Sequence, residues 1–275
     1  MTTVNKRGAA HYLLAAFSLL VLSFLIAPIL IIIAVSFSPG EMIIFPPQGL
    51  SLRWYQHYFN DINWMNATHV SVVVAVITAL CSLLLGTMVS VGLVRGAFPG
   101  KNLLRALLMG PLIVPKIITA VGLYFLYMHL RLLGTALGLV IAHTLIAVPY
   151  VVMIMTAALY GFDRRLEWAA RSLGASTRKV IWYVSWPVLR PAIISATLFS
   201  FIASFDDIIL SLFLSQLTQP TLPRQIWVNV QQFIDPTIAA VSTLMTLVSV
   251  LGLALVMLVQ WLAARRSVAR ADPGR

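Results

Sequence analysis

Charge is what this chain has least of. Only 10% of its 275 residues are Asp, Glu, Lys or Arg, whereas a soluble globular domain carries about a quarter. Acidic residues number 8, and Cys81 is the single cysteine. One cysteine excludes an internal disulfide and a thiolate-built metal site. His129 and His143 lack the clustered carboxylate or thiolate partners that a metal ion needs, so both read as packing or interface residues. No nucleophile–base pair is discernible. The dipeptide Gly100-Lys101 has Arg at position 95 and Asn at 102, so the phosphate-loop pattern fails at both ends. The chain reads as non-catalytic, with no cofactor, metal or ATP site of its own.

Apolar sequence fills the space that charge leaves. Hydrophobic residues make up 60% of the chain, and a bilayer core takes roughly 20 of them per helical span. Six runs qualify, at about 12–37, 67–93, 106–129, 136–159, 191–215 and 238–263. The expected fold is all-α and integral to the membrane: a six-helix domain over 12–263, between an N-terminal segment 1–11 and a basic tail 264–275. The first run is too long for a signal h-region, and no Ala-x-Ala cleavage site follows its end at Phe37, so it reads as an uncleaved span. No internal repeat of the secondary-transporter kind is visible.

The net charge of +11 invites a nucleic-acid reading, but its distribution explains it better. With both termini in the cytoplasm, 15 of the 19 basic residues fall on that side; Arg53, Lys116, Arg131 and Arg224 remain. That asymmetry is the positive-inside rule. The basic charge sets topology, with membrane lipid and not nucleic acid as the partner it implies.

The segments on the other side are 38–66 and 216–237, both rich in proline and aromatic residues. Ser51 to Tyr58 suits a short interfacial helix, because Trp and Tyr favour headgroup depth. Gly134 and Gly138 are spaced for close helix approach. Pro111, Pro115 and Pro149 predict kinks in spans three and four.

The most informative stretch is the charged loop 159–191, with six basic residues: Arg164, Arg165, Arg171, Arg178, Lys179 and Arg190. Asp163 is placed to cap a helix starting at Arg164. Leu166, Ala169, Ala170 and Leu173 then form one apolar stripe. Gly174 suits the left-handed position that ends a helix, Ser176 can cap the next, and that second helix runs from Thr177 to a stop at Trp186-Pro187. A helix-turn-helix DNA reader shares this outline. Its recognition helix would be Val180-Ile181-Trp182-Tyr183-Val184, too apolar for base edges and joined directly to a span.

The loop resembles instead the cytoplasmic loop of binding-protein-dependent ABC importer permeases, with the pattern Glu-Ala-Ala-x3-Gly-x9-Ile-x-Leu-Pro. Ala169-Ala170, Gly174 and Val184-Ser185-Trp186-Pro187 match its spacing. Trp168 stands at the Glu position with Glu167 beside it, about 100° away on a helix. Ser204-Phe205-Asp206-Asp207 and Leu222-Pro223 extend the likeness, over roughly 12–262, to the shorter permease of spermidine/putrescine-type importers.

The resemblance implies a non-catalytic transmembrane subunit that moves a small, cationic organic solute inward. Its implied partners are two ATPase subunits holding ATP and magnesium, a second, non-identical permease, and a periplasmic or extracellular solute-binding protein docking on 38–66 and 216–237. Glu167, Trp168, Ala169, Ala170, Leu173, Gly174 and Pro187 are the implied ATPase-coupling residues. Lys116, Asp206 and Asp207, ionisable residues at membrane depth, are candidates for the substrate path. A structural alternative stands beside that reading, in which an aspartate pairs with Lys116 or caps a broken helix. A secondary transporter or channel without ATPases is the rival function.

Overall fold

The computed structural model of the chain describes residues 9–215, 220–232 and 235–271. Parts of three expectations lie outside them: segment 1–11 up to residue 8, the segment 216–237 at 216–219 and 233–234, and the tail beyond residue 271. Every regular element among the described residues is helical. In chain order they are α1 (Ala9–Ser36), α2 (Arg53–Asn60), α3 (Ile62–Arg95), α4 (Lys101–Ile113), α5 (Lys116–Leu130), α6 (Ala136–Tyr160), α7 (Arg165–Ser172) and α8 (Thr177–Val180). A π-helical turn (Ile181–Ser185) follows, then α9 (Trp186–Phe205), α10 (Ile209–Leu214), α11 (Leu222–Gln232) and α12 (Thr237–Ala271).

Among the described residues five helical runs are long and apolar enough to cross a membrane, and the pair α4–α5 makes a sixth if it is counted as one broken span. The expected span at 106–129 is therefore not continuous. Its halves meet at 99° across Val114-Pro115. Pro115 has no N–H to carry the ladder on, and it disfavours helical geometry at Val114. Pro111 and Pro149 lie inside α4 and α6, so of the three prolines only Pro115 sits at a break. The α12 helix continues to Ala271, well into the segment that its charge marks as a tail.

The described residues fall into two compact units. One comprises those up to Ile62 with those of Val228–Leu247; the other comprises those of Asn63–Trp227 and from Val248 onward. In the first, the helix expected at Ser51–Tyr58 is α2. The Trp54 indole donates to the Ser38 carbonyl at 2.9 Å, and the Tyr55 hydroxyl meets Ser36 Oγ at 2.7 Å. These aromatics carry both an apolar body and a polar handle, which fixes the chain leaving α1 against α2.

The second unit is built around α6, 61% of whose apolar window is buried. Lipid supplies no hydrophobic drive between helices, so close packing and small residues must do so. A side chain at Gly86 of α3 would meet Val151 of α6 at 2.6 Å, and only hydrogen fits. Buried Ser82 and Ser90 return their hydroxyls to carbonyls four residues back, at 2.6 and 2.7 Å. Gly134 and Gly138 serve the α5–α6 turn rather than a helix crossing. Gly134 has φ +73°, and a Cβ at Gly138 would lie 2.4 Å from the Leu132 carbonyl.

Candidate functional site

The charged loop begins where Asp163 Oδ1 accepts the Arg165 N–H at 2.9 Å, so α7 starts one residue later than its cap predicts. At the other end Ala175 N–H bonds the Ala170 carbonyl and Gly174 N–H bonds that of Arg171. Gly174 lies between them at φ +82°. This is the six-to-one and five-to-two pairing of a Schellman stop, which needs a residue free to be left-handed.

The second helix does not end at Trp186-Pro187. Helical backbone runs from Thr177 to Phe205, 29 residues, so the expected helix pair is one free-standing helix, α7, and an extension of span five. Pro187 cannot donate to the Tyr183 carbonyl. The chain absorbs that lost bond by widening into the π-turn just before it, where the Trp186 N–H reaches back to Ile181. Such turns recur at functional positions, and this one directs Ser185 inward.

Within α7 the two faces differ sharply. Leu166, Trp168, Ala169 and Leu173 are exposed, Leu173 at 89%, and Ala170 is half-buried. Gly174 and Pro187 are exposed as well. The Arg164 guanidinium lies 5.8 Å from the centre of the Trp168 ring. Glu167 points the opposite way and is 3% exposed. Its Oε1 accepts from Arg95 Nη2 at 2.7 Å and from Ser185 Oγ at 2.6 Å. Burial alone would raise the pKa of Glu167. The hydrogen bonds from Ser185 and Arg95, with the charges of Arg95 and Arg171, outweigh it and hold the carboxyl below its ordinary value. Arg95 also sits 5.9 Å from the ring centre of buried Phe162.

A second charged centre lies at the far end of α9. The expected span at 191–215 is broken: the helix stops at Phe205 and resumes at Ile209. Asp207, 3% exposed, bridges the gap. Its Oδ1 accepts the Leu210 N–H at 2.8 Å, capping α10, and its Oδ2 accepts from Lys116 Nζ at 2.7 Å. Lys116 opens α5 directly after its own break at Pro115, so the pair joins two interrupted helices. Asp206 is exposed, and no described side chain pairs with it. One turn back, Ser204 Oγ meets His143 Nδ1 at 2.8 Å, both residues being buried.

The structure thus brings Lys116 and Asp207 together and leaves Asp206 apart. It turns Glu167 away from Trp168 and the rest of the predicted coupling residues. Arg95, Ser185, Ser204 and His143 are partners that sequence reasoning did not assign. For Arg95 the signal was only one positive charge at a span end; for Ser185 it was a place inside the matched motif.

The family of binding-protein-dependent transport system inner membrane components matches residues 82–268. The spermidine/putrescine transport system permease protein PotC of Haemophilus influenzae is 32% identical over 93% of this chain and 98% of its own length. The putrescine transport system permease protein PotI of Escherichia coli K12 is 34% identical over 82% of this chain and 83% of its own. Among solved structures, a chain of a bacterial ABC transporter involved in the import of the acidic polysaccharide alginate superposes with a TM-score of 0.64. It shares 18% identity and is covered over 100% of its length by 99% of this chain, a likeness of fold. A bacterial alginate ABC transporter in complex with a pentasaccharide-bound periplasmic protein gives 0.65 at 15% identity, over 93% of this chain and 95% of that one.

Proposed function

This chain belongs to the binding-protein-dependent transport system inner membrane component family, and from that premise we propose that it carries a polyamine-class cation across the membrane. It is a non-catalytic, multi-pass permease subunit of an ABC importer in the inner membrane. The observation that carries the coupling role is the exposure of apolar side chains around α7, the stripe of Leu166, Ala169 and Leu173 with Trp168 beside it. Leu166, Trp168 and Leu173 are exposed among the charges of Arg164, Arg165 and Arg171, where apolar side chains serve a protein partner better than water. That partner is one of two ATPase subunits, which bind ATP and magnesium on the cytoplasmic side along with both termini. Closure of the ATPases moves α7 and the helical run that begins at Thr177. A second, non-identical permease completes the pathway, and an external solute-binding protein delivers the solute, with 38–66 and 216–237 as its docking segments.

The named solutes of the relatives support a cationic cargo, and so does the charge at the α9 break. Lys116 cancels Asp207, which leaves Asp206 as the charge there with no ion-pair partner among the described residues. A dry ionised carboxylate at membrane depth would be costly, so this one serves a wet pathway. The test is uptake of labelled spermidine and putrescine by cells with and without this chain, alongside its ATPase and binding protein. ATP-dependent uptake that disappears on deletion is the expected result. An ATPase that co-purifies without polyamine uptake moves the cargo to another solute. Uptake driven by an ion gradient without the ATPase overturns the importer mechanism.

A further inference from the structure

We propose that Arg95, Glu167 and Ser185 form a clasp that makes α7, α3 and α9 move together, so that Arg95 and Glu167 are positioning residues of ATP-driven transport. The inference rests on the importer reading above but assigns Glu167 a different task from docking. A helix that receives a push from a partner transmits it only if it is fastened to what must move. Side-chain contacts fasten α7 as follows. Ala170 is half-buried and Leu166 and Leu173 are exposed, so Glu167 is the fully buried side chain of the helix. That carboxylate takes both of its hydrogen bonds from outside its own helix, one from the last residue of α3 and one from the π-turn that opens into α9.

The clasp has the chemistry of a fastening rather than of a surface contact. Oε1 is shared between a guanidinium at 2.7 Å and a hydroxyl at 2.6 Å, with Glu167 nearly excluded from water. Charge-assisted bonds of this length are about twice as strong as neutral ones, and exposed pairs, worth little, differ from them in kind. A ring contact and the π-turn support the same grouping. The Arg95 guanidinium lies over the ring of Phe162, in the link between α6 and α7, and the π-turn is what faces Ser185 to the carboxylate. Arg95 is therefore the point where the chain after α6, the helix α7 and the cytoplasmic end of α3 meet.

The experiment measures solute moved per ATP hydrolysed by the whole transporter in vesicles, with co-purification of the ATPase as the second readout. Arg95→Gln and Glu167→Gln should each lower that ratio roughly fivefold or more, the low end of measured coupling between sites, with the ATPase still bound. The double variant should be no worse than either single one, because both remove the same contact. Arg95→Lys, which keeps the charge, should retain most of the ratio. Ser185→Ala removes one of the two hydrogen bonds to the carboxylate and should lower the ratio roughly threefold or more. An unchanged ratio in Ser185→Ala, an Arg95→Lys as impaired as Arg95→Gln, or loss of the ATPase in Glu167→Gln each overturns the clasp. Wild-type complex that shows neither ATPase binding nor ATP-dependent uptake overturns the importer reading itself, a separate result.

Discussion

The two ends of α9 are pinned by the same device used in different ways. At each end a buried carboxylate meets a partly exposed base at 2.7 Å, Glu167 with Arg95 and Asp207 with Lys116. Glu167 spends one oxygen on two neighbouring elements and none on its own backbone. Asp207 divides its oxygens, one closing the break in its own chain and one reaching α5. The first arrangement joins separate helices and lies beside a loop that water can reach. The second repairs an interruption at membrane depth, where buried Asp207 accepts the Leu210 N–H that the broken helix leaves unmet. The lesson is that one residue pairing fastens parts at the loop and stabilises the fold at the break.

The comparison breaks most completely at the loop. Gly174→Asp places a side chain at φ +82° and a carboxylate at the end of α7, so transport should fall about tenfold or more. The subunit should stay in the membrane; normal uptake per subunit in vesicles is the outcome that contradicts the docking role. Next in size is Lys116→Met, which strands the buried Asp207 carboxylate. Unfolding followed by tryptophan fluorescence in detergent should show a loss toward the low end of about 3–5 kcal/mol, since the Lys116 side chain is 43% exposed and only Asp207 is buried. Adding Asp207→Asn should recover most of it, and a double variant as unstable as the single one would mean that the pair is not what holds the break.

The two aspartates sharpen the contrast further. Asp206→Asn should weaken polyamine uptake roughly tenfold without loss of stability, the scale of one charged hydrogen bond. Asp207→Asn should instead lower the amount of folded subunit and leave uptake per folded subunit near normal. Equal behaviour of the two in uptake and unfolding assays removes the assignment. The smallest effect is that of pH on the clasp. The Glu167 pKa is depressed in the folded chain, so its contribution is complete above the ordinary carboxylate value and is lost as pH falls through the folded one. Solute moved per ATP should therefore differ between wild type and Glu167→Gln by the same factor across about pH 6–8; a factor that drifts with pH in that range points to another titrating group.

Much of this was legible in the residues. The spans announce themselves by length and hydropathy, α2 by its aromatic residues, and the end of α7 by a glycine that its φ +82° requires. The breaks were not legible, because hydropathy is the same for an apolar run whether its helix continues or stops. Pro111, Pro115 and Pro149 look alike in sequence, and only Pro115 opens a 99° bend. The aspartates showed the same limit. Adjacent residues on a helix diverge by about 100°, but Asp206 and Asp207 lie in a gap between helices rather than on one, so that spacing does not set where they point. Arg95 was counted toward topology, a role any cation at a span end satisfies; its carboxylate partner is 72 residues away.

The uninterrupted helical run from Thr177 to Phe205 has a mechanical consequence. Its 29 residues extend about 43 Å at 1.5 Å per residue, so it is a lever as long as a bilayer is thick. Rotating such a rod by about 5° at one end carries the other through roughly 4 Å. The contact at its tip, 2.7 Å between Lys116 and Asp207, parts over a much smaller displacement. A modest swing beside the loop is thus amplified, by length alone, into a movement larger than the bond that closes the far end.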